Sequence, residues 1–210
     1  MPEIDVVYEN WRPEIGSDRK GYWTQTYLGV PYWTCDPRPE DVWLGDIAHH
    51  LSIENRYGGA SIVPYSVAQH SVECCYRASL DARAWLLFHD AEEAYTKDLP
   101  RPIKAAIPQF KAIGELNRQA IAQRLGLPWP IPEAIQAEIH EIDNRMLATE
   151  RRDLLRPSKL EWQLKHEPYA ERLQAWSWDK AETFFLSTAR SVLNQDLFSA
   201  CLYPADTQLV

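Results

Sequence analysis

Residues 81–95 have the sequence DARAWLLFHDAEEAY, and this stretch decides the fold because its apolar residues recur at helical spacing. They occupy positions i, i+3, i+4 and i+7, which form one face of a helix: Ala84, Leu87, Phe88 and Ala91. Asp81 precedes them as a candidate N-cap, because a short carboxylate accepts hydrogen bonds from free backbone N–H groups. His89 and Asp90 follow the apolar run, so the predicted helix carries two polar side chains beside its buried face.

Helical signals continue on both sides of this stretch. Asp46 is predicted to cap a helix over IAHHLSIENRY, and Ser66 with Gln69 forms the capping box of the next helix. Pro100 and Pro102 are expected to interrupt the chain, and further helices are predicted over 109–125, over 133–155 and from Asp179 onward. The sequence therefore predicts an all-α domain of about six helices over residues 46–210.

The first 45 residues have a different character. They contain four tryptophans and five prolines, and the stretch GYWTQTYLGVPYW is rich in residues that favour strands. Gly29 divides this stretch, so we expect a short β-hairpin. Residues 1–45 are too short to hold a hydrophobic core of their own, and we interpret them as an N-terminal arm on the helical domain.

Composition narrows the functional classes. The chain has 210 residues, of which 45% are hydrophobic and 25% are charged, as expected for a soluble globular protein. The net charge of −8 argues against broad binding to duplex nucleic acid or to an anionic membrane surface. The four cysteines show no disulfide or zinc-ribbon spacing, and neither a signal peptide nor a membrane span is recognisable. We therefore expect a reduced, cytoplasmic protein.

Three separate predicted helices carry residues that suit a metal site. Burying the ionised carboxylate of Asp90 costs several kcal/mol unless a positive partner meets it. A divalent ion would satisfy Asp90 and His89, would recruit His70 from the facing helix, and would take Asp143 as a second carboxylate. Two imidazoles and two carboxylates suit Zn, Mn, Co, Ni or Fe. The alternative is that these histidines are hydrogen-bonded core residues with no ligand.

The order H…HD…D on successive helices resembles the HD-domain metal-dependent phosphohydrolases. The matching stretches cover roughly residues 23–155 and are TYLGV, DPRPEDVWLGDIAH, DIAHHLSIENRYGG, YSVAQHSV, LLFHDAEEAYTKDLPRPIK and EIDNRMLATERRDL. The resemblance is closest to the phage and prophage branch that acts on deoxynucleotides. One departure is Ala60-Ser61, where that branch has a His-Thr pair after the glycines.

The resemblance implies an HD-type helical bundle and a set of metal ligands. The implied ligands are His70, His89, Asp90 and Asp143, and the implied cofactor is a divalent ion: Zn, Co or Mn, with Mg as a further possibility. Glu93 lies one helical turn beyond His89 and is a candidate to position or deprotonate the attacking water, or else a solvated carboxylate. Asp98 either orients the substrate or caps a turn.

Basic and aromatic residues supply candidate contacts to a nucleotide. Lys97, Arg101 and Lys104 form a basic loop that suits a phosphate tail, and the resemblance implies a phosphate contact for Lys104 and for Arg56. Tyr57 either stacks on a base or packs internally. His49 and His50 are interpreted as structural, with His49 expected to lie closer to the pocket.

The resemblance implies an enzyme that cleaves the 5′-phosphoester of deoxynucleotides, with a small-molecule substrate and a homo-oligomeric assembly. The basic loop favours a dATP triphosphohydrolase, which releases deoxynucleoside and triphosphate. One alternative is a 5′-deoxynucleotidase acting on monophosphates. The other is a helical binding module whose metal is structural.

Overall fold

The protein is mainly α-helical, as the sequence predicts, in a computed structural model that describes residues 18–205. Nine α-helices form within this range: α1 Leu44–Ile53, α2 Val67–Arg77, α3 Arg83–Phe88, α4 Glu93–Thr96, α5 Arg101–Ala106, α6 Pro108–Leu125, α7 Glu133–Leu154, α8 Trp178–Val192 and α9 Gln195–Leu202. A short antiparallel hairpin, β1 Thr24–Gln25 and β2 Pro31–Tyr32, precedes them. No helix within residues 18–205 is long and apolar enough to cross a membrane.

The helix count exceeds the predicted six for local reasons. The third predicted helix ends at Phe88, and the chain passes through turns before α4 begins at Glu93. Pro102 does not interrupt α5, because it lies in the first turn of that helix. Backbone N–H groups in a first turn have no acceptor within the helix, so the N–H that proline lacks is not missed. The last predicted helix is followed by a separate helix, α9. Asn194 caps its start, because its Oδ1 accepts the backbone N–H of Asp196.

Of two predicted helix N-caps, one is present in the structure and the other is not. The Ser66 hydroxyl accepts the N–H of Gln69 at 3.1 Å, so the predicted cap of α2 is confirmed. The predicted cap at Asp46 is wrong: α1 begins at Leu44, and the Asp46 carboxylate instead accepts the N–H of Leu28 in the hairpin at 2.8 Å. A cap signal in the sequence cannot distinguish a carboxylate that serves its own helix from one that serves a distant loop.

Helix α2 lies at the centre of the domain and packs against α1, α3, α7 and α8. Large buried side chains fill the space between these helices, and the rings of Phe88 and Phe185 meet edge to face at 5.7 Å. All four cysteines are free, consistent with the absence of a disulfide pattern. This packing places the C-terminal end of α3 and the middle of α7 beside α2, where His70 lies fully buried.

The described part of the arm is anchored to the helices by one tyrosine. Tyr32 is fully buried, its ring stacks on Tyr95 at 3.8 Å, and its hydroxyl donates to Oδ1 of Asn117 on α6 at 2.7 Å. The hairpin register places Thr24 opposite Tyr32. The first part of the predicted arm, residues 1–17, lies outside the described residues, and the boundary at residue 45 stays a prediction.

We expect Tyr32→Phe to lower the free energy of unfolding by about 1–3 kcal/mol, because it leaves the buried Asn117 Oδ1 without a donor. Chemical denaturation measured by circular dichroism checks this. Tyr27→Phe is the control, since Tyr27 is 50% exposed. Equal midpoints for the two variants would show that the Tyr32 hydroxyl does not anchor the arm.

Candidate metal centre

Two imidazole rings from different helices face each other at the centre of the site. The Nε2 atoms of His70, on α2, and of His89, just after α3, are 3.2 Å apart. The Nδ1 of His70 donates to Glu150 Oε1 at 2.6 Å, and the Nδ1 of His89 donates to the carbonyl of Leu86 at 2.7 Å. When both rings are neutral, each has its proton on Nδ1, and both Nε2 lone pairs then point into the same space.

The two predicted aspartates border this space. Oδ1 of Asp143 lies 3.3 Å from His70 Nε2, and Oδ2 of Asp90 lies 3.3 Å from His89 Nε2 and 3.7 Å from His70 Nε2. Burial alone would raise the pKa of Asp90, but the neighbouring His89 and His70 outweigh it and hold the pKa below its ordinary value. Burial is likewise outweighed at Asp143, where the contact with His70 lowers the pKa. Both carboxylates are therefore anionic.

Arg56 occupies the side of the site between the carboxylates. Its side chain is buried, with Nη1 3.4 Å from Asp90, Nη2 4.0 Å from Asp143 and Nε donating to Glu150 at 3.1 Å. Its backbone N–H donates to the carbonyl of Tyr65 at 2.9 Å, which fixes the segment that carries it. The structure thus brings the predicted phosphate contact Arg56 together with the predicted metal ligands.

Glu150 organises the site, and the sequence analysis missed it. This fully buried carboxylate accepts hydrogen bonds from His70, from Arg56, from Tyr65 at 3.0 Å and from the hydroxyl of Tyr57. Burial would raise its pKa, but Arg56 and His70 lower the pKa to about 2. A signal was present, because Glu150 follows Asp143 by seven residues and therefore shares its face of α7.

Cys74 adds a sulfur atom to the same cluster. It follows His70 by one helical turn on α2, and its Sγ lies 3.5 Å from His70 Nε2. His70, Cys74 and His89 form a buried group that could hold a metal ion, with ligand atoms all within 4.8 Å of one another. Burial raises the pKa of the Cys74 thiol, so the ionised carboxylates of Asp90 and Asp143 are the stronger partners for a cation.

Glu93 and Lys104 lie in contact beside the metal-ligand candidates. Glu93 is only 4% exposed, so the alternative of a solvated carboxylate is wrong. Its Oε1 accepts from Lys104 Nζ at 2.6 Å, while Oε2 is buried without a hydrogen-bond partner among residues 18–205. Burial, and then the charges of Asp90 and Asp98, raise the pKa of Glu93 well above its ordinary value. Asp98 Oδ1 lies 3.4 Å from Lys104 Nζ.

The remaining candidates differ in where the structure places them. Tyr57 is half-buried, and its hydroxyl donates to Glu150, while Arg101 is exposed on α5 and makes no side-chain contact with the site among the described residues. His50, rather than His49, reaches α4: its Nδ1 donates to the carbonyl of Ala94 at 2.8 Å. His49 instead pairs with Glu182 on α8.

The donor geometry fits a divalent ion. Metal–nitrogen and metal–oxygen bonds of about 2.0–2.2 Å place neighbouring donors of one ion about 3.0–3.4 Å apart. The His70–His89, His70–Asp143 and His89–Asp90 separations of 3.2, 3.3 and 3.3 Å lie in this range, and the His70–Asp90 separation of 3.7 Å lies just above it. Contacts between His70 and Glu150 and between His89 and Leu86 supply the outer hydrogen bonds that orient ligating histidines.

Comparison with known proteins gives relatives at moderate identity. No family model matches the chain. The uncharacterized protein YfdR of Escherichia coli (strain K12) is 36% identical over 130 residues, which cover 62% of this chain and 71% of that protein. An uncharacterized protein of Rhodobacter capsulatus is 33% identical over 134 residues, which cover 59% of this chain and 68% of that protein. The extent of the match to YfdR, at this identity, shows that the chain belongs to the YfdR family.

Proposed function

We propose that the protein is a metal-dependent phosphohydrolase of HD type that hydrolyses the 5′-phosphoester of deoxynucleotides. One observation carries the proposal: the Nε2 atoms of His70 and His89 face each other at 3.2 Å, with both Nδ1 atoms already hydrogen-bonded. The lone pairs of two neutral rings repel at this distance unless a cation, either a proton or a metal ion, lies between or beside them. The ionised Asp90 and Asp143 at the same point supply the negative charge that such a cation needs.

The ligands proposed for the ion are His70, His89, Asp90 and Asp143. Two nitrogen and two oxygen donors form a borderline set that favours Zn, Co or Mn over Mg, which prefers oxygen ligands and water. When bound, a divalent ion lowers the pKa of a bound water toward about 7 and polarises a phosphoryl oxygen. The protein side chains around it then position the substrate and move the proton.

Glu93 is the group proposed to take that proton. Its buried Oε2 has no hydrogen-bond partner among residues 18–205, so it is available to accept a hydrogen bond from a water molecule. Burial, with the charges of Asp90 and Asp98, raises the pKa of Glu93 above that of an ordinary glutamate, which is the direction in which a deprotonated carboxylate accepts a proton more readily. Lys104 holds the other oxygen, Oε1, and thereby fixes the direction in which Oε2 points.

Arg56 is the group proposed to balance charge on the phosphate. Its guanidinium lies 3.4 Å from Asp90 and 4.0 Å from Asp143, next to the position at which a phosphoryl oxygen would meet the ion. Charge that moves onto phosphate oxygens during transfer is stabilised by a guanidinium held in place beforehand. The hydrogen bond from Arg56 Nε to the buried Glu150 provides that fixed position.

The ion pairs at the site favour a deoxynucleoside monophosphate over a triphosphate as the substrate. A triphosphate needs cations for two further phosphates. Lys104 is already paired with Glu93 and Asp98, and the Arg101 side chain is exposed to solvent. Arg56 is paired with three carboxylates. Lys104 and Arg56 are thus already paired, and Arg101 makes no contact with the site among the described residues, which supports the 5′-deoxynucleotidase version of the proposal.

Asp90→Ala is expected to lose bound metal and hydrolytic activity together, since it removes a charged candidate ligand that lies close to both histidines. Elemental analysis of the purified protein and the rise in melting temperature on adding Zn²⁺ check this. The matched control is Asp179→Ala, an exposed aspartate on α8. Full metal content in Asp90→Ala would remove Asp90 from the ligand set.

Glu93→Gln should retain metal and substrate binding but lower kcat by about 10²- to 10⁴-fold, because an amide keeps the shape of Glu93 and cannot accept the proton. Single-turnover hydrolysis together with metal analysis separates these effects. Glu115→Gln, at an exposed position on α6, is the control. Near-normal kcat in Glu93→Gln would mean that another group handles the proton.

A substrate panel tests the phosphate count. We expect the zinc- or cobalt-loaded protein to turn over dAMP with a higher kcat/KM than dATP, because the local cations are already paired with carboxylates. Chromatography that measures free phosphate and triphosphate separately gives the answer. Preferential release of triphosphate from dATP would restore the triphosphohydrolase expected from the sequence.

A further inference from the structure

Trp162 is an exposed aromatic side chain that the proposed chemistry does not use. It lies in the irregular segment 155–177 between α7 and α8, and 37% of its surface is exposed. The indole meets the ring of Tyr57 at 6.2 Å and 64°, and the Arg151 guanidinium lies over it at 5.9 Å. The N–H of Leu164 donates to the carbonyl of Trp162 at 2.7 Å, a tight turn that holds the backbone at the indole.

A continuous line of side chains connects the metal-ligand candidates to this indole. The guanidinium of Arg56 contacts Asp90 at 3.4 Å and lies 5.4 Å from the ring centre of Tyr57. The ring of Tyr57 is next to Trp162, and Arg151 lies beyond it. The order outward is therefore carboxylate, guanidinium, phenol ring and indole.

Tyr57 is held in this line at a cost in backbone energy. Its φ of 61° and ψ of 21° lie in the left-handed region, which non-glycine residues rarely adopt. The hydroxyl is bonded to the buried Glu150, so the ring cannot turn away from Arg56 without breaking that bond. The position of the ring is thus set by the same carboxylate that orients His70.

We propose that Trp162, supported by Tyr57, is the site on which the nucleobase of the substrate stacks. This inference rests on the proposed function, because it takes the phosphate to lie at Arg56 and the metal ligands. A nucleotide presents phosphate, sugar and base in that order, which matches the order of guanidinium, phenol ring and indole. Stacking on an indole accepts any base, because every base has a π face, so the subsite gives affinity with little discrimination among bases.

A structural role in the hydrophobic core does not explain the position of Trp162. The indole is absent from the buried core of residues 18–205, so packing of the fold does not account for it. A second exposed indole, Trp178, is 54% exposed, and its ring meets that of His49 on α1 edge to face at 6.0 Å. Of these two exposed indoles, Trp162 is the one linked through Tyr57 to the site.

The test compares dAMP with 2-deoxyribose 5-phosphate, a substrate that has the same ester and no base. For Trp162→Ala we expect the loss of kcat/KM on dAMP to exceed the loss on 2-deoxyribose 5-phosphate by about 5- to 150-fold, the equivalent of one stacking contact. The loss should lie in KM, and Trp162→Phe should recover part of it. Trp178→Ala, which removes an exposed indole whose ring meets His49 and not Tyr57, should behave as wild type.

The outcomes separate the subsite from the chemistry. Equal losses on both substrates, or unchanged kinetics on both, would overturn the stacking proposal while leaving the phosphohydrolase proposal intact. If the wild-type protein hydrolyses neither ester with any of the metals, the proposed function fails. In that case calorimetric binding of dAMP to the zinc-loaded protein decides the subsite: weaker binding by Trp162→Ala supports it, and unchanged binding overturns it.

Discussion

Two imidazole nitrogens held 3.2 Å apart constrain the whole site. Each ring is fixed from behind, His70 by Glu150 and His89 by the carbonyl of Leu86, so neither is free to rotate its Nε2 away. Burial and Arg56 oppose a charge on His70, yet Cys74 and Glu150 raise its pKa well above the ordinary value. The surroundings of His70 thus favour a positive charge at this point, whether a proton or a metal ion supplies it.

Glu150 turns this constraint into a link between distant parts of the chain. One buried carboxylate on α7 receives groups from α2, from the 3₁₀ turn Arg56–Gly59 and from Tyr65. Removing a donor would leave part of a buried anion unsatisfied, which costs more than an ordinary hydrogen bond contributes. The imidazole, the guanidinium and the Tyr57 ring therefore keep their relative positions because they share an acceptor.

The sequence predicts those parts of this arrangement that depend on local chemistry. Ser66 and Gln69 identify the start of α2, and the spacing of His70, His89, Asp90 and Asp143 selects residues that the fold does bring together. Glu150 shares a helix face with Asp143, but its sequence neighbours look like those of a surface helix, so this spacing alone does not distinguish a buried carboxylate from a solvated one. Asp46 shows the converse, since a good local cap signal serves the hairpin instead. Local signals in this sequence therefore indicate the candidate ligands better than the residues that hold those candidates in place.

The charge balance at the site implies that a phosphate would need a bound cation in order to bind there. Five carboxylates meet two cations here: Asp90, Asp143, Glu150, Glu93 and Asp98 against Arg56 and Lys104. With neutral histidines this balance is negative, so a phosphate dianion entering the metal-free site is repelled at short range. A divalent ion would offset much of that imbalance at the place proposed for the phosphate. On the proposed function, metal binding and substrate binding are then favourably coupled, and by linkage each strengthens the other by the same factor.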